Sequence, residues 1–79
     1  MNRKDKMILE ELQNINILTN TNRLKLQDLA INLSTKYKTL SEEIQQINNS
    51  QQLAEIKNKG LQILVNEFFE HEEEDVIIN

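Results

Sequence analysis

Seven residues in the middle of the chain, Leu26, Ala30, Leu33, Tyr37, Leu40, Ile44 and Ile47, follow one another at alternating steps of four and three. A 3.5-residue rhythm of this kind puts all seven on one edge of an α-helix and is the pattern of helices packed side by side. Proline is absent and Gly60 is the only glycine, so the two residues that most strongly interrupt helices hardly occur. The chain is therefore expected to be all-α: a helical hairpin or three-helix antiparallel bundle with coiled-coil-like packing, in one domain over residues 1–79. Its helices are expected at about 3–18, 23–48 and 51–73, with the middle one running unbroken from Leu26 to Ile47.

The breaks between these segments are marked by short polar residues that compete with helical hydrogen bonding. "TNTN" at 19–22 is the first, with Asn22 as cap of the next helix, and "NNS" at 48–50 is the second, with Asn49 or Ser50 capping the third helix. In the first segment Ile8, Leu12 and Ile15 form the apolar stripe, and Lys6 can pair with Glu10 one turn away. In the third, Leu53, Ile56, Gly60, Leu61, Leu64, Val65, Phe68 and Phe69 keep helical spacing, with Glu55 and Lys59 placed for an i, i+4 ion pair. A competing reading makes "EIKNKGLQIL" a β-hairpin with "NKG" at its tip, because glycine inside a helix costs about 1 kcal/mol relative to alanine.

Composition removes several classes of function. There is no cysteine for a disulfide or a zinc thiolate site, and His71 is the single histidine. Glu67, Glu70, His71 and Glu74 fall at helical spacings, but one histidine among acids reads as solvated charge, so no metal or cofactor is expected. No Ser/His/Asp set and no glycine-rich phosphate loop is present, so no catalytic residues are assigned and no small-molecule substrate is expected. No uninterrupted apolar run exceeds three residues, as at Ile63 to Val65, far short of the ~18 residues of a membrane span, and the basic start is interrupted by Glu10 and Glu11 before a secretory segment forms. An intracellular, soluble protein is the expectation. Residues 1–66 carry all nine Lys and Arg against seven acids, and residues 67–79 carry six acids and no base, so the net charge of -4 belongs to the C-terminal end. That end carries a third reading on its own, an acidic inhibitor that imitates nucleic acid.

The stretch "LQDLAINLSTKYKTLSEEIQQI" resembles the helix-turn-helix of DeoR-like and Mga-like winged-helix regulators. Leu29, Ala30 and Leu33 match the inward residues of its first helix, and Leu40 and Ile44 those of the recognition helix. The resemblance implies a DNA-binding transcriptional regulator with the helix-turn-helix at about 26–47 and a wing at 54–65. Lys36, Tyr37, Lys38, Ser41, Glu42 and Gln45 would face the groove, and Lys57 and Lys59 would reach phosphate from the wing tip. The chain departs from the family at Ser34-Thr35-Lys36, where Gly-Val-Ser is usual, and at Glu42 and Glu43, where arginines are common.

The unbroken repeat through Ser34 and Thr35 places Tyr37 inside a seam, whereas the helix-turn-helix turns it outward. The repeat therefore favours a non-enzymatic protein–protein interaction module, a subunit or adaptor of a helical assembly or a homodimer. A domain this small buries only about 60–65% of the surface that its unfolded chain exposes, which also favours a partner. The expected interface is Leu26, Leu33, Tyr37, Leu40, Ile44, Ile47, Leu61, Leu64 and Phe68, and the partner is a protein or a second copy, with nucleic acid only under the alternative.

Overall fold

The computed structural model describes residues 2–78, with side chains through His71. Four helices follow in order: α1 (Arg3–Asn14), α2 (Asn20–Leu33), α3 (Lys38–Asn49) and α4 (Ala54–Ile78). The class is all-α, as the repeat and the missing breakers imply, but the long middle helix is two helices with a corner at 34–37.

Local chemistry accounts for each boundary. Asn2 caps α1 by accepting from Asp5 N at 2.8 Å. α2 is capped by Thr19, whose hydroxyl accepts from Asn22 N at 3.2 Å; Asn22, the expected cap, lies inside the helix and donates its amide to Asn16 O at 2.6 Å. α3 ends at Asn49, where both the backbone N–H and the hydroxyl of Ser50 donate to Ile47 O. Ser50 thus closes α3 and does not open α4, which begins at Ala54. The competing hairpin, the wing of the helix-turn-helix reading at 54–65, is absent there: the segment is continuous helix, as the spacing of the third stripe implies. Gly60 has ordinary helical backbone, so packing of α4 outweighs the ~1 kcal/mol propensity cost.

At the corner, Ser34 N and Ser34 Oγ both donate to Ile31 O, at 3.0 and 2.6 Å, and Lys36 N and Tyr37 N both donate to Leu33 O. Serine back-bonding of this kind competes with helix continuation, and β-branched Thr35 adds no helical preference. α3 then restarts with Ser41 N donating to Tyr37 O at 2.9 Å. The energetic reason for the corner is burial. An isolated rod would leave Leu26, Leu33, Leu40 and Ile44 in water, whereas here all four are buried, a gain of about 1.5–3 kcal/mol each against a few local hydrogen bonds.

Neighbouring helices run antiparallel, as their paired residues reveal. Asn16 meets Asn22 and Glu11 meets Lys25 between α1 and α2; Ala30 meets Ser41 and Arg23 lies beside Asn48 between α2 and α3. Asn48 meets Lys57 and Tyr37 meets Phe68 between α3 and α4; Asn16 meets Asn58 and Gln13 meets Asn66 between α4 and α1. In each case one number rises as the other falls. α1 and α3 each pack on α2 and α4, and the diagonal pairs α1/α3 and α2/α4 make no backbone approach among the described residues. The result is an up-down-up-down four-helix bundle measuring 39 × 20 × 19 Å, whose core holds Leu9, Leu12, Ile17, Leu26, Leu33, Ile44, Leu61 and Val65. Among the described residues no helix is long and apolar enough to cross a membrane.

Candidate protein-binding surfaces

The nine residues expected at an interface divide into two groups. Leu26, Leu33, Leu40, Ile44 and Leu61 are buried in the chain's own core, where they hold the bundle together. Tyr37, Ile47, Leu64 and Phe68 are half-buried and pack on that core from its edge. The seam read from the sequence is therefore mostly internal, because the corner folds its two halves, Leu26 to Leu33 and Leu40 to Ile47, against each other.

Tyr37 sits where this folding happens. It is neither a seam residue of a continuous helix nor a side chain turned to water. Its ring meets Phe68 edge-on, with centroids 4.8 Å apart at 81°, and its phenolic oxygen is buried. The Lys36 ammonium lies 5.3 Å from the Tyr37 ring centroid and 3.3 Å from Asp5 Oδ2, tying the corner to the start of α1. Hydrogen bonding to Tyr37 and then to Asp5 raises the Lys36 pKa above the usual lysine value. The two ion pairs among the described residues are Lys36–Asp5 and Lys25–Glu11; the expected Lys6–Glu10 and Glu55–Lys59 pairs do not form.

The geometry of a DNA-reading helix-turn-helix is not reproduced. The corner lies where that reading wants it, but α2 and α3 return alongside each other, so that Asn20 and Arg23 of α2 border one depression with Asn48 and Asn49 of α3. A helix-turn-helix crosses its helices at about 90–120° instead. Ser41, expected to face the groove, is buried and donates to Ala30 O at 2.7 Å. Lys57, expected at a wing tip, is buried in α4 and donates to Asn48 O at 2.8 Å, satisfying a carbonyl at the C-terminal end of α3. The outward row of α3 mixes Lys38 and Thr39 with Glu42, Glu43 and Gln46.

Compared with protein-family models, curated proteins and solved structures, the chain shows no match.

Between α3 and α4 runs a furrow of two depressions that share Glu43 and Leu64. Tyr37, Leu40 and Phe68 line its upper part together with Lys36 and His71, and Ile47 lines its lower part. His71 and Glu67 both border the furrow, and among the described residues no group of three or more metal-binding side chains is present. The rest of the acidic end, Glu72, Glu73, Glu74 and Asp75, and the apolar "VIIN" beyond it lie outside the described side chains.

Two further apolar rows were missed by sequence reasoning. On α4, Ile56 and Ile63 point away from the core, with Leu53 just ahead of the helix; on α2, Leu24 and Ile31 do the same. All five are between 50 and 72% exposed. The sequence stripe through Leu53, Ile56, Leu61, Leu64 and Val65 is wider than one face, and the structure divides it into Leu61 and Val65 inside and Leu53 and Ile56 outside. The signal was available: residues seven apart opposite the core stripe, Leu24 with Ile31 and Ile56 with Ile63, form rows of their own.

Proposed function

We propose that this protein is a non-enzymatic association module that binds other protein surfaces through the outer face of α4 and the adjoining α3–α4 furrow. The observation that carries the reading is the row Leu53, Ile56 and Ile63, each more than half exposed, running beside the half-buried Ile47 and Leu64. An isolated exposed aliphatic is ordinary, but an ordered row flanking an apolar furrow on a chain this small is the kind of surface that protein interfaces use. Buried polar groups are bonded into the fold at Ser41 and Lys57, so the free surface offers packing rather than a polar pocket. The expected occupant is a helix laid along α4 with aliphatic side chains one or two turns apart.

Site-specific photocrosslinking tests this directly. A photoreactive residue placed at position 56 or 63, in cells that express the chain, is expected to give discrete protein adducts. The same residue at Glu10, exposed on α1, is expected to give none, and Leu53→Asp is expected to suppress the adducts from position 63. Absence of protein adducts from both α4 positions overturns the reading.

A further inference from the structure

The two exposed rows have the same spacing, and they lie on two diagonally placed helices. α2 and α4 occupy diagonal corners of the bundle, so their outward faces point in opposite directions. Both run antiparallel to α1 and α3, and are therefore parallel to each other. They are also level: Asn22 and Asn58 both bond Asn16, while Arg23 and Lys57 both lie at Asn48. Those pairings offset the two helices by 34 to 36 residues, so Leu24 stands level with residues 58–60, and Ile56 lies about three residues, ~4–5 Å, nearer the start of its helix.

From this we infer that the occupant of the α4 row is the α2 row of a second copy, giving an open head-to-tail array in which each copy is displaced sideways, and by ~4–5 Å along the helix axes, without rotation. The inference rests on the association reading above and names its partner. A shift along the α2–α4 diagonal together with that axial step brings the two rows together as parallel helices, with Leu24 on Ile56 and Ile31 on Ile63. Charge decides between this and the symmetric alternatives. Between the apolar layers, Gln27 and Asp28 flank the row on α2, and Lys59 and Gly60 flank it on α4. In a parallel pair the trailing edge of one helix meets the leading edge of the other, so Asp28 meets Lys59, and Gln27 meets Gly60, which has no side chain to obstruct it. A two-fold dimer that pairs α4 antiparallel with itself sets Lys59 against its own copy, and one that pairs α2 so sets Asp28 against its own copy; a two-fold that pairs either helix parallel with itself leaves Lys59 opposite Gly60 or Asp28 opposite Gln27, with no ion pair. Neither Asp28 nor Lys59 makes an ion pair within its chain among the described residues.

Because the donor and acceptor faces differ and point apart, the contact does not close on itself and growth is open-ended. One helix-on-helix contact with two apolar layers is small, so association falls in the range of about 10 μM to 1 mM.

Sedimentation equilibrium on the full chain over a concentration series is the test. The mean mass is expected to keep rising past that of a dimer. Ile31→Asp, which blocks only the α2 face, and Ile63→Asp, which blocks only the α4 face, are each expected to be monomeric with unchanged circular dichroism. Mixed together they are expected to form a dimer and nothing larger, through the face each retains. Asp28→Lys and Lys59→Asp are each expected to weaken association roughly five-fold, and the double variant to recover it. A wild-type chain that stays monomeric up to about 1 mM, or a mixture of the two blocked variants that stays monomeric, refutes the array. Protein adducts from positions 56 or 63 to a different chain leave the association reading standing in that event. A mass that plateaus at the dimer, with Ile31→Asp or Ile63→Asp still dimeric alone, refutes the head-to-tail arrangement in favour of a symmetric one.

Discussion

Removing the Ser41 hydroxyl separates a cornered bundle from an unbroken rod. At the end of α2, Ser34 N bonds Ile31 O, three residues back, and so leaves Ala30 O without the partner that a continuing helix would supply. Ala30 is fully buried, so water does not take over, and the Ser41 hydroxyl from α3 donates to that carbonyl at 2.7 Å. Ser41→Ala therefore strands a buried acceptor and is expected to cost about 1–3 kcal/mol. A domain of this length has roughly 4–12 kcal/mol in total, so the midpoint in urea falls visibly and the Tm drops by about 4–8 °C per kcal/mol lost. Ser34→Ala is the control: its hydroxyl shares Ile31 O with its own backbone N–H, so the carbonyl keeps a donor and the loss stays below about 0.5 kcal/mol. Urea titrations followed by far-ultraviolet circular dichroism measure both. In a continuous helix Ala30 O would receive Ser34 N, Ser41 would lie three turns away, and both substitutions would be nearly neutral. A Ser41→Ala loss under about 0.5 kcal/mol refutes the corner as described.

Three other perturbations probe the same geometry. Gly60→Ala is expected to stabilise the fold by about 0.5–1 kcal/mol, because the added Cβ meets only Ile47 Cδ1 at 3.9 Å, an ordinary contact, while the unfolded chain loses freedom; thermal melts that shift downward contradict this. Lys57→Ala removes a charged donor from Asn48 O along with a buried stem and is expected to cost about 2–3 kcal/mol by chemical denaturation. For Lys36, whose pKa is raised by Tyr37 and Asp5, the contribution to stability is fully present below the unfolded value of 10.5 and is lost as pH rises through the higher folded value. The stability gap between wild type and Lys36→Met should accordingly be flat from about pH 7 to 9 and should shrink only above about pH 10.5.

The helical class and the identity of the core faces were legible in the sequence, because periodicity reports which side of a helix is buried. Leu26, Ala30, Leu33, Leu40 and Ile44 are buried just as their spacing implies. Periodicity is silent on whether a chain continues straight, since a seam folded at residues 34–37 leaves its two halves in the same rhythm as an unfolded one. The sequence signal for the corner is chemical and weak: Ser34 and Thr35 side by side, with no glycine or proline to mark a turn. Likewise four candidate caps for α2 stand in a row at 19–22, and only the path of the loop through buried Ile17 selects Thr19 over Asn22. Gly60 misleads in the opposite direction, since local propensity favours a break and the burial of Leu61 and Val65 on either side of the next turn overrides it.

Folding the seam has a consequence for association. An unbroken helix would have kept its apolar edge for a partner, and Leu40 would have been an interface residue; in the bundle the same edge is used up inside one chain. The fully exposed apolar positions lie off the repeat, which is why Leu24, Ile31, Ile56 and Ile63, rather than Leu33 and Leu40, are the positions where a charge should alter assembly without unfolding the protein. The distinction is measurable in one comparison. Leu40→Asp buries a carboxylate in the core and is expected to abolish the cooperative melt, whereas Ile63→Asp stays in solvent and is expected to leave the melt within about 0.5 kcal/mol of wild type. If both unfold the chain, the outer face of α4 is part of the fold and not a free surface.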